Sequence, residues 1–184
     1  MYDREKGSLK GESAMSRMPD ALARARALLK NETPLPGNCG RLCGGRCCRP
    51  IEGENTGMLL FPGEEAYYAA LPDYTTRHTP AGLLLTCPGQ CRREDRPLSC
   101  RLFPLLPLLR DEGVRVGVDL RAKPVCPLAR QGVSGVRQEF VEAVRACGQM
   151  LAEDDTQRRF LLRLTAQQDD LRALRKQFGG KGYV

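Results

Sequence analysis

The spacing of the cysteines constrains this chain more than any other feature. Eight of its nine cysteines lie between positions 39 and 126, and four of them fall within "CGRLCGGRCC" at 39–48. So many thiols in so short a stretch predict disulfide bonds, a catalytic thiol or a metal site. Each alternative makes a different demand on the rest of the sequence.

Disulfides and thiol catalysis both fit poorly. The first twenty residues contain no apolar run, so we expect no export signal and a reducing, cytoplasmic location. The number of cysteines is odd, and the adjacent Cys47 and Cys48 do not bridge each other without strain. A nucleophilic cysteine usually works with a histidine base, and the only histidine, His78, lies in a segment predicted to be a loop. We therefore expect no catalytic residues.

A metal site is the remaining interpretation, and the residues between the cysteines favour it. Glycines between the first thiols allow short loops to wrap around one point. Four thiolates on Zn²⁺ leave a net negative charge, which cationic neighbours offset. Seven arginines are interleaved with the cysteines in this way: Arg41, Arg46, Arg49, Arg92, Arg93, Arg96 and Arg101.

The donor set predicts the class of metal but not its identity. Thiolates suit both zinc and iron–sulfur clusters. Cys87 and Cys126 are each followed by proline, as in some iron–sulfur ligand runs, so we favour a cluster, [4Fe–4S], with Zn²⁺ as the alternative. The eight cysteines could form one metal site or two sites of four ligands each. The predicted ligands are Cys39, Cys43, Cys47, Cys48, Cys87, Cys91, Cys100 and Cys126.

The cysteine segments also resemble a known family. "CGRLCGGRCC", "CPGQC", "RPLSCRLFPLLP" and "VCPL" are similar to segments of the YkgJ-type cysteine-cluster proteins, which are described as zinc- or iron-chelating domains. The resemblance covers 39 to about 130, and it implies the same eight ligands. It departs at Cys43 to Cys47, where three residues intervene instead of the usual two. Some relatives are flagellin lysine N-methylases, but no glycine-rich S-adenosylmethionine loop is evident here.

Other polar residues have ordinary structural interpretations. In "RPLSCRLFP", prolines fix the backbone around Cys100, and the same segment is expected to bury Phe103, Leu105 and Leu106. Glu64 and Glu65 are adjacent, so their side chains face apart on a helix. We therefore interpret them as acids at the helix N-terminus rather than as an acid–base pair. Cys147 lies on an apolar helix face and is expected to be a buried, inert thiol.

The remaining pattern predicts a small, irregular, cysteine-rich α+β domain with short strands. We expect a flexible leader at 1–18, a metal-binding domain with an N-terminal helix at 19–130, and a C-terminal helical extension at 131–184. Within these, the pattern predicts a helix at 19–32, a strand at 56–62, a helix at 63–71 and a hairpin that turns at "DEG" (111–113).

The C-terminal extension is expected to form a helical pair or one bent helix. Its first apolar face consists of Phe140, Val144, Cys147 and Leu151. The second segment is capped by Asp155 and continues this face with Phe160, Leu161, Leu164, Leu171, Leu174 and Phe178.

The net charge of +7 permits an acidic partner without requiring one. A protein partner is open, nucleic acid is not expected, and no apolar run is long enough to span a membrane. The main alternatives to a simple metal-binding protein are an iron–sulfur-dependent, methyltransferase-like enzyme and a zinc-dependent adaptor for nucleic acid or protein. The sequence does not determine the oligomeric state.

Overall fold

The computed structural model describes residues 18–49, 57–89 and 91–178, so the predicted leader lies outside these residues except for Met18. The α+β class is confirmed. The α-helices in these residues are α1 (Asp20–Leu28), α2 (Gly40–Cys43), α3 (Glu65–Ala69), α4 (Leu98–Leu102), α5 (Pro127–Arg130), α6 (Gln138–Ala152) and α7 (Asp155–Phe178). The strands are β1 (Met58–Leu59), β2 (Thr75–Thr79), β3 (Gly82–Thr86), β4 (Leu105–Arg110) and β5 (Gly113–Val118).

The N-terminal helix is shorter than the sequence predicts. α1 follows Pro19 and ends at Leu28, four residues before the predicted end. Leu22, Ala25 and Leu29 recur at helical spacing and are fully buried, which ties α1 to the hydrophobic core. The helix therefore supplies one wall of the core beneath the cysteine segments.

A small antiparallel sheet has the strand order β1–β3–β2. His78 lies in β2 and pairs with Leu83, so the prediction of a loop there is wrong. Three of the five residues of β2 are threonine, which favours strands, and a two-residue turn joins Thr79 to Gly82. The predicted strand at 56–62 is confirmed only as the two-residue β1.

The second sheet is the predicted hairpin of β4 and β5. Its register runs from Leu105 opposite Val118 to Arg110 opposite Gly113, so the turn falls at "DE" within the predicted "DEG". Leu105 and Leu106 are buried as expected, whereas Phe103 is only half-buried. Phe103 precedes the hairpin and borders the cavity described below.

The C-terminal extension forms two helices, as one of the two predicted arrangements requires. The predicted face of α6 is confirmed, because Phe140, Val144, Cys147 and Leu151 are all fully buried. The cap of α7 is Asp154 rather than the predicted Asp155: its carboxylate accepts hydrogen bonds from the backbone N–H groups of Thr156 and Gln157, both 2.9 Å away.

The apolar face of α7 is only partly buried. Phe160, Leu161 and Leu164 lie in the core, whereas Leu174 and Phe178 near the end of the helix are exposed. Within the described residues, no helix combines the length and the apolar character needed to cross a membrane.

The C-terminal helices share a core with the N-terminal helix. α6 packs against α1 and against the β4–β5 hairpin, and the N–H of Arg137 donates to the carbonyl of Pro34 at 2.9 Å. The domain boundary near residue 130 stays a prediction. This core supports the cysteine-bearing segments at one side of the molecule.

Candidate metal centre

Six of the eight predicted ligands border one cavity of about 480 Å³. They are Cys39, Cys47, Cys48, Cys87, Cys91 and Cys100. All nine cysteines of the chain carry free thiols. Segments that are far apart in sequence therefore meet at one surface, as a metal site assembled from distant thiols requires.

The first cysteine segment reverses direction at two glycines. Gly44 and Gly45 follow α2 and both have left-handed backbone conformations, with φ of 62° and 71°. Glycine adopts such angles without steric cost. The reversal leads into a single 3₁₀ turn, Arg46–Cys48, which carries the adjacent thiols at the cavity wall.

The other ligands are carried by the first sheet and by a short helix. Cys87 directly follows β3, and Cys91 lies four positions later in the sequence. Cys100 lies in α4, which begins after Pro97. Pro97 is buried, and its ring restricts the backbone where α4 begins.

The vicinal pair is close enough for one thiol to donate to the other. The Sγ atoms of Cys47 and Cys48 are 3.8 Å apart. The hydrogen bond lowers the pKa of Cys48 to about 6, against the opposing effect of burial, and it raises the pKa of Cys47 above its usual range. The two thiols of this pair therefore differ in acidity.

A second pair behaves in the same way. A hydrogen bond from Cys87 lowers the pKa of Cys91 to about 6, and the Arg96 guanidinium adds to this effect. Burial raises the pKa of the Cys100 thiol, and the nearby Cys48 and Cys91 raise it further. The cavity therefore holds thiols of two kinds, some ready to deprotonate and some stabilised as neutral groups.

Arg96 is the cation most closely associated with the thiols. It borders the cavity, and its charge helps to lower the pKa values of Cys48 and Cys91. It also opposes the rise that burial causes in the pKa values of Cys39 and Cys100. Its Nε atom is buried and has no hydrogen-bond partner. Arg96 is therefore the interleaved arginine whose charge acts on four of the thiols.

The other interleaved arginines do not share that role equally. Arg92 pairs with Asp95, while Arg93 and Arg101 donate to backbone carbonyls. Two therefore brace the backbone, and one neutralises a carboxylate. The remaining three, Arg41, Arg46 and Arg49, are exposed, and none of them is a cause of the shifted thiol pKa values. That these arginines neutralise a metal–thiolate centre stays a prediction.

Two predicted ligands, Cys43 and Cys126, lie away from this cavity. Cys43 borders a second, smaller cavity of about 320 Å³, and Cys126 is buried at the start of α5. After burial, the charges of Cys126 and Cys43 are the main causes that raise the pKa of Cys39. Cys39, one of the six thiols at the main cavity, is thus electrostatically coupled to both outlying thiols, and Cys43 also raises the pKa of Cys47.

The thiol side chains are suitable ligands for a soft metal, but they do not converge closely enough to hold one. Thiolates are the ligands of structural zinc and of iron–sulfur clusters. In the ranges that the structure describes, however, no three His, Cys, Asp or Glu side chains converge into a group that would hold a metal ion as they stand. The predicted ligands share a surface, and binding would require their sulfurs to move closer together.

A buried polar network beneath the cavity was not predicted from the sequence. Glu64 is fully buried and pairs with Arg26 of α1, whereas Glu65 accepts a hydrogen bond from the N–H of Gly63 at 2.7 Å. The prediction of helix N-terminal acids therefore describes Glu65 but only part of the role of Glu64. A signal was available, because Arg26 follows Leu22 by four residues and lies on the apolar face of α1.

Comparison with known proteins gives no assignment: no protein-family model, no curated protein and no solved structure matches the chain. The resemblance to the cysteine-cluster family thus rests on the motifs alone.

Proposed function

We propose that this chain is a metal-binding protein that coordinates an iron–sulfur cluster or zinc through cysteine thiolates. The observation that carries the proposal is the meeting of six thiols from three chain segments at one cavity beside Arg96. Free thiols elsewhere in a protein are commonly buried singly as apolar groups, as Cys147 is. A shared cavity bordered by six of them is what a thiolate-bound metal needs.

The number of thiols supports one centre or two. Zinc in a structural site and a [4Fe–4S] cluster each take four cysteines. The charges of Cys43 and Cys126 raise the pKa of Cys39, and those of Cys48 and Cys91 raise the pKa of Cys100. Cys47 belongs to neither group alone, because both Cys43 and Cys100 raise its pKa. Bound zinc would supply structural crosslinking, and a bound cluster would add electron transfer.

Free thiols in this number also support a reducing compartment, and we propose the cytoplasm. Methyl transfer and nucleic-acid binding stay alternatives from the sequence. Calorimetric titration with S-adenosylmethionine tests the first, and salt-dependent binding of DNA or RNA tests the second.

The proposal is tested by comparing cysteine variants purified without oxygen. Cys47→Ser and Cys100→Ser each remove one proposed ligand, so we expect less metal per folded chain than in the wild type. Cys147→Ala is the matched control, because this thiol is buried in α6 away from the cavity, and its metal content should be unchanged. Full metal content in both ligand variants would contradict the proposal.

A further inference from the structure

Glu64 places a carboxylate inside the protein directly beneath the cysteine-bearing helix α4. Its side chain has zero exposure. One carboxylate oxygen accepts a hydrogen bond from the N–H of Phe61 at 3.0 Å, and the other accepts from the N–H of Leu98 at 2.9 Å and from the Arg26 guanidinium. Leu98 is the first residue of α4, two positions before Cys100.

Arg26 extends the same connection to the loop between Cys91 and Cys100. Its guanidinium also donates to the hydroxyl of Tyr68 and to the carbonyl of Glu94, each at 3.4 Å. The Arg101 guanidinium in turn donates to the carbonyls of Arg26 and Glu94, both at 2.8 Å. The N-terminal helix is thereby bonded to Glu94, which lies between two proposed ligands, and to Arg101, which directly follows Cys100.

Asp95 fixes the middle of that segment. The Tyr67 hydroxyl donates to the Asp95 carboxylate at 2.6 Å, and the Tyr68 hydroxyl donates to the Asp95 carbonyl at 2.8 Å. Asp95 is itself buried. Residues 92–101 are therefore held from below by side chains of α1 and α3, although none of these side chains is a ligand.

Stability alone is a weak reason for such a network. Removing two opposite charges from water is costly, and apolar residues of similar volume often serve as well or better. A charge pair with several hydrogen bonds instead defines a geometry, because each hydrogen bond is favourable only over a narrow range of directions. The segment that receives this geometry carries Cys100 and follows Cys91.

We propose that Glu64 is a positioning residue for the metal centre: by anchoring the start of α4 to Arg26 and to the 61–64 turn, it sets the placement of Cys100 relative to Cys91. The inference rests on the proposed function, since it assigns the network to that site. Residues that orient metal ligands without touching the metal commonly change affinity by about 10–100-fold when they are substituted.

The decisive variant is Glu64→Gln in the full chain. The amide has nearly the same size but one acceptor oxygen instead of two, and it leaves the Arg26 charge without a partner. In a chelator competition with Zn²⁺ added to the reduced protein, we expect affinity per folded chain to fall by about 10–100-fold. Leu161→Ala is the matched control: it disturbs the buried core in α7 and should leave Zn²⁺ affinity unchanged.

A second variant separates positioning from folding. Arg26→Met combined with Glu64→Gln removes both buried charges, so thermal stability should recover relative to Glu64→Gln alone. Zn²⁺ affinity should stay low, because the single amide oxygen of glutamine cannot replace the two carboxylate oxygens that accept from the N–H groups of Phe61 and Leu98. Affinity that recovers together with stability would overturn the proposal.

A measurement without metal keeps this inference distinct from the proposed function. In the reduced, metal-free protein, alkylation of Cys100 followed by mass spectrometry should be faster in Glu64→Gln than in the wild type or in Leu161→Ala. Failure of wild-type protein to bind metal would refute the proposed function but would leave this result interpretable. If Cys100 is alkylated at the same rate in Glu64→Gln as in the wild type, the positioning role itself is refuted.

Discussion

The C-terminal helix α6 and the cysteine segment at 39–48 differ in how much apolar surface they bury. α6 buries six residues, including Phe140, Val144 and Leu151, against α1 and the hairpin. In contrast, α2 and the following 3₁₀ turn bury none, and Leu42 within α2 is 61% exposed. Apolar burial therefore accounts for the order of the first region but not of the second.

The difference separates a framework that is stabilised by its apolar core, residues 138–164, from the cysteine segment, which has no such core. Burial of apolar area is the main favourable term in folding, so residues 138–164 supply much of the stability. The 39–49 segment has thiols and exposed arginines in place of a core. We infer that metal binding would contribute to the order of that segment, because its ligands would connect it to residues 87–100.

Truncation in the framework should have the largest effect on global stability. Phe140→Ala removes a fully buried ring from α6, and we expect the free energy of unfolding to fall by about 3–5 kcal/mol. Chemical denaturation monitored by circular dichroism measures this change. A loss below about 1 kcal/mol would contradict the assignment of α6 to the core.

Adding one methyl group where α6 meets the hairpin should have an intermediate effect. A Cβ on Gly148 would lie 2.7 Å from Val114 Cγ1 and still closer to Pro107 Cβ. We expect Gly148→Ala to cost about 1–3 kcal/mol, because neither neighbour is the end of a flexible side chain. If denaturation shows a stabilised protein instead, the helix and hairpin are not packed so closely.

The ion pair between the hairpin and α7 should contribute little. Arg110 donates two hydrogen bonds to Asp169, at 2.6 and 2.7 Å, and the carboxylate is 41% exposed. We expect Asp169→Asn to cost less than about 1 kcal/mol at neutral pH.

The pH dependence of this pair has a definite sign. Arg110 lowers the pKa of Asp169, so the stabilisation is complete above the unfolded-state pKa and is lost as the pH falls through the folded-state pKa. Thermal unfolding from neutral to acidic pH should therefore show a steeper loss for the wild type than for Asp169→Asn. Parallel curves would contradict the assignment.

The smallest change in global stability is expected from substitution at the cavity. Arg96→Gln removes the cation that lowers the pKa of Cys91, so less thiolate is present and alkylation of Cys91 at pH 7 should slow. Arg41→Gln is the control, because Arg41 is exposed and does not shift the thiol pKa values. Equal rates in both variants would show that Arg96 does not act on this thiol.

Periodic apolar patterns predicted the framework well. The spacing of Phe140, Val144 and Leu151 identified α6 and its buried face, and the two apolar runs around "DEG" identified the hairpin. These elements follow from local sequence, since a helix or a two-stranded hairpin is defined by neighbouring residues. The β2–β3 hairpin was missed because its turn, at Pro80 and Ala81, lacks the usual Asn-Gly or Asp-Gly pair.

The candidate site was predicted as a set of residues rather than as an arrangement. Cysteine spacing selected the six thiols at the cavity, but it did not separate them from Cys43 and Cys126, which lie elsewhere. The pairing of Arg26 with Glu64 joins residues 38 positions apart. No local pattern specifies such a contact, because it depends on how α1 packs beneath the cysteine segments.

Metal analysis of wild-type protein purified without oxygen or chelator tests the central claim most directly. Iron, zinc and acid-labile sulfide would be measured on the same sample as the visible spectrum. We expect either iron with sulfide and visible charge-transfer absorption, or zinc without colour, in stoichiometric amounts. Protein that is folded and reduced yet contains neither metal in meaningful stoichiometry would contradict it.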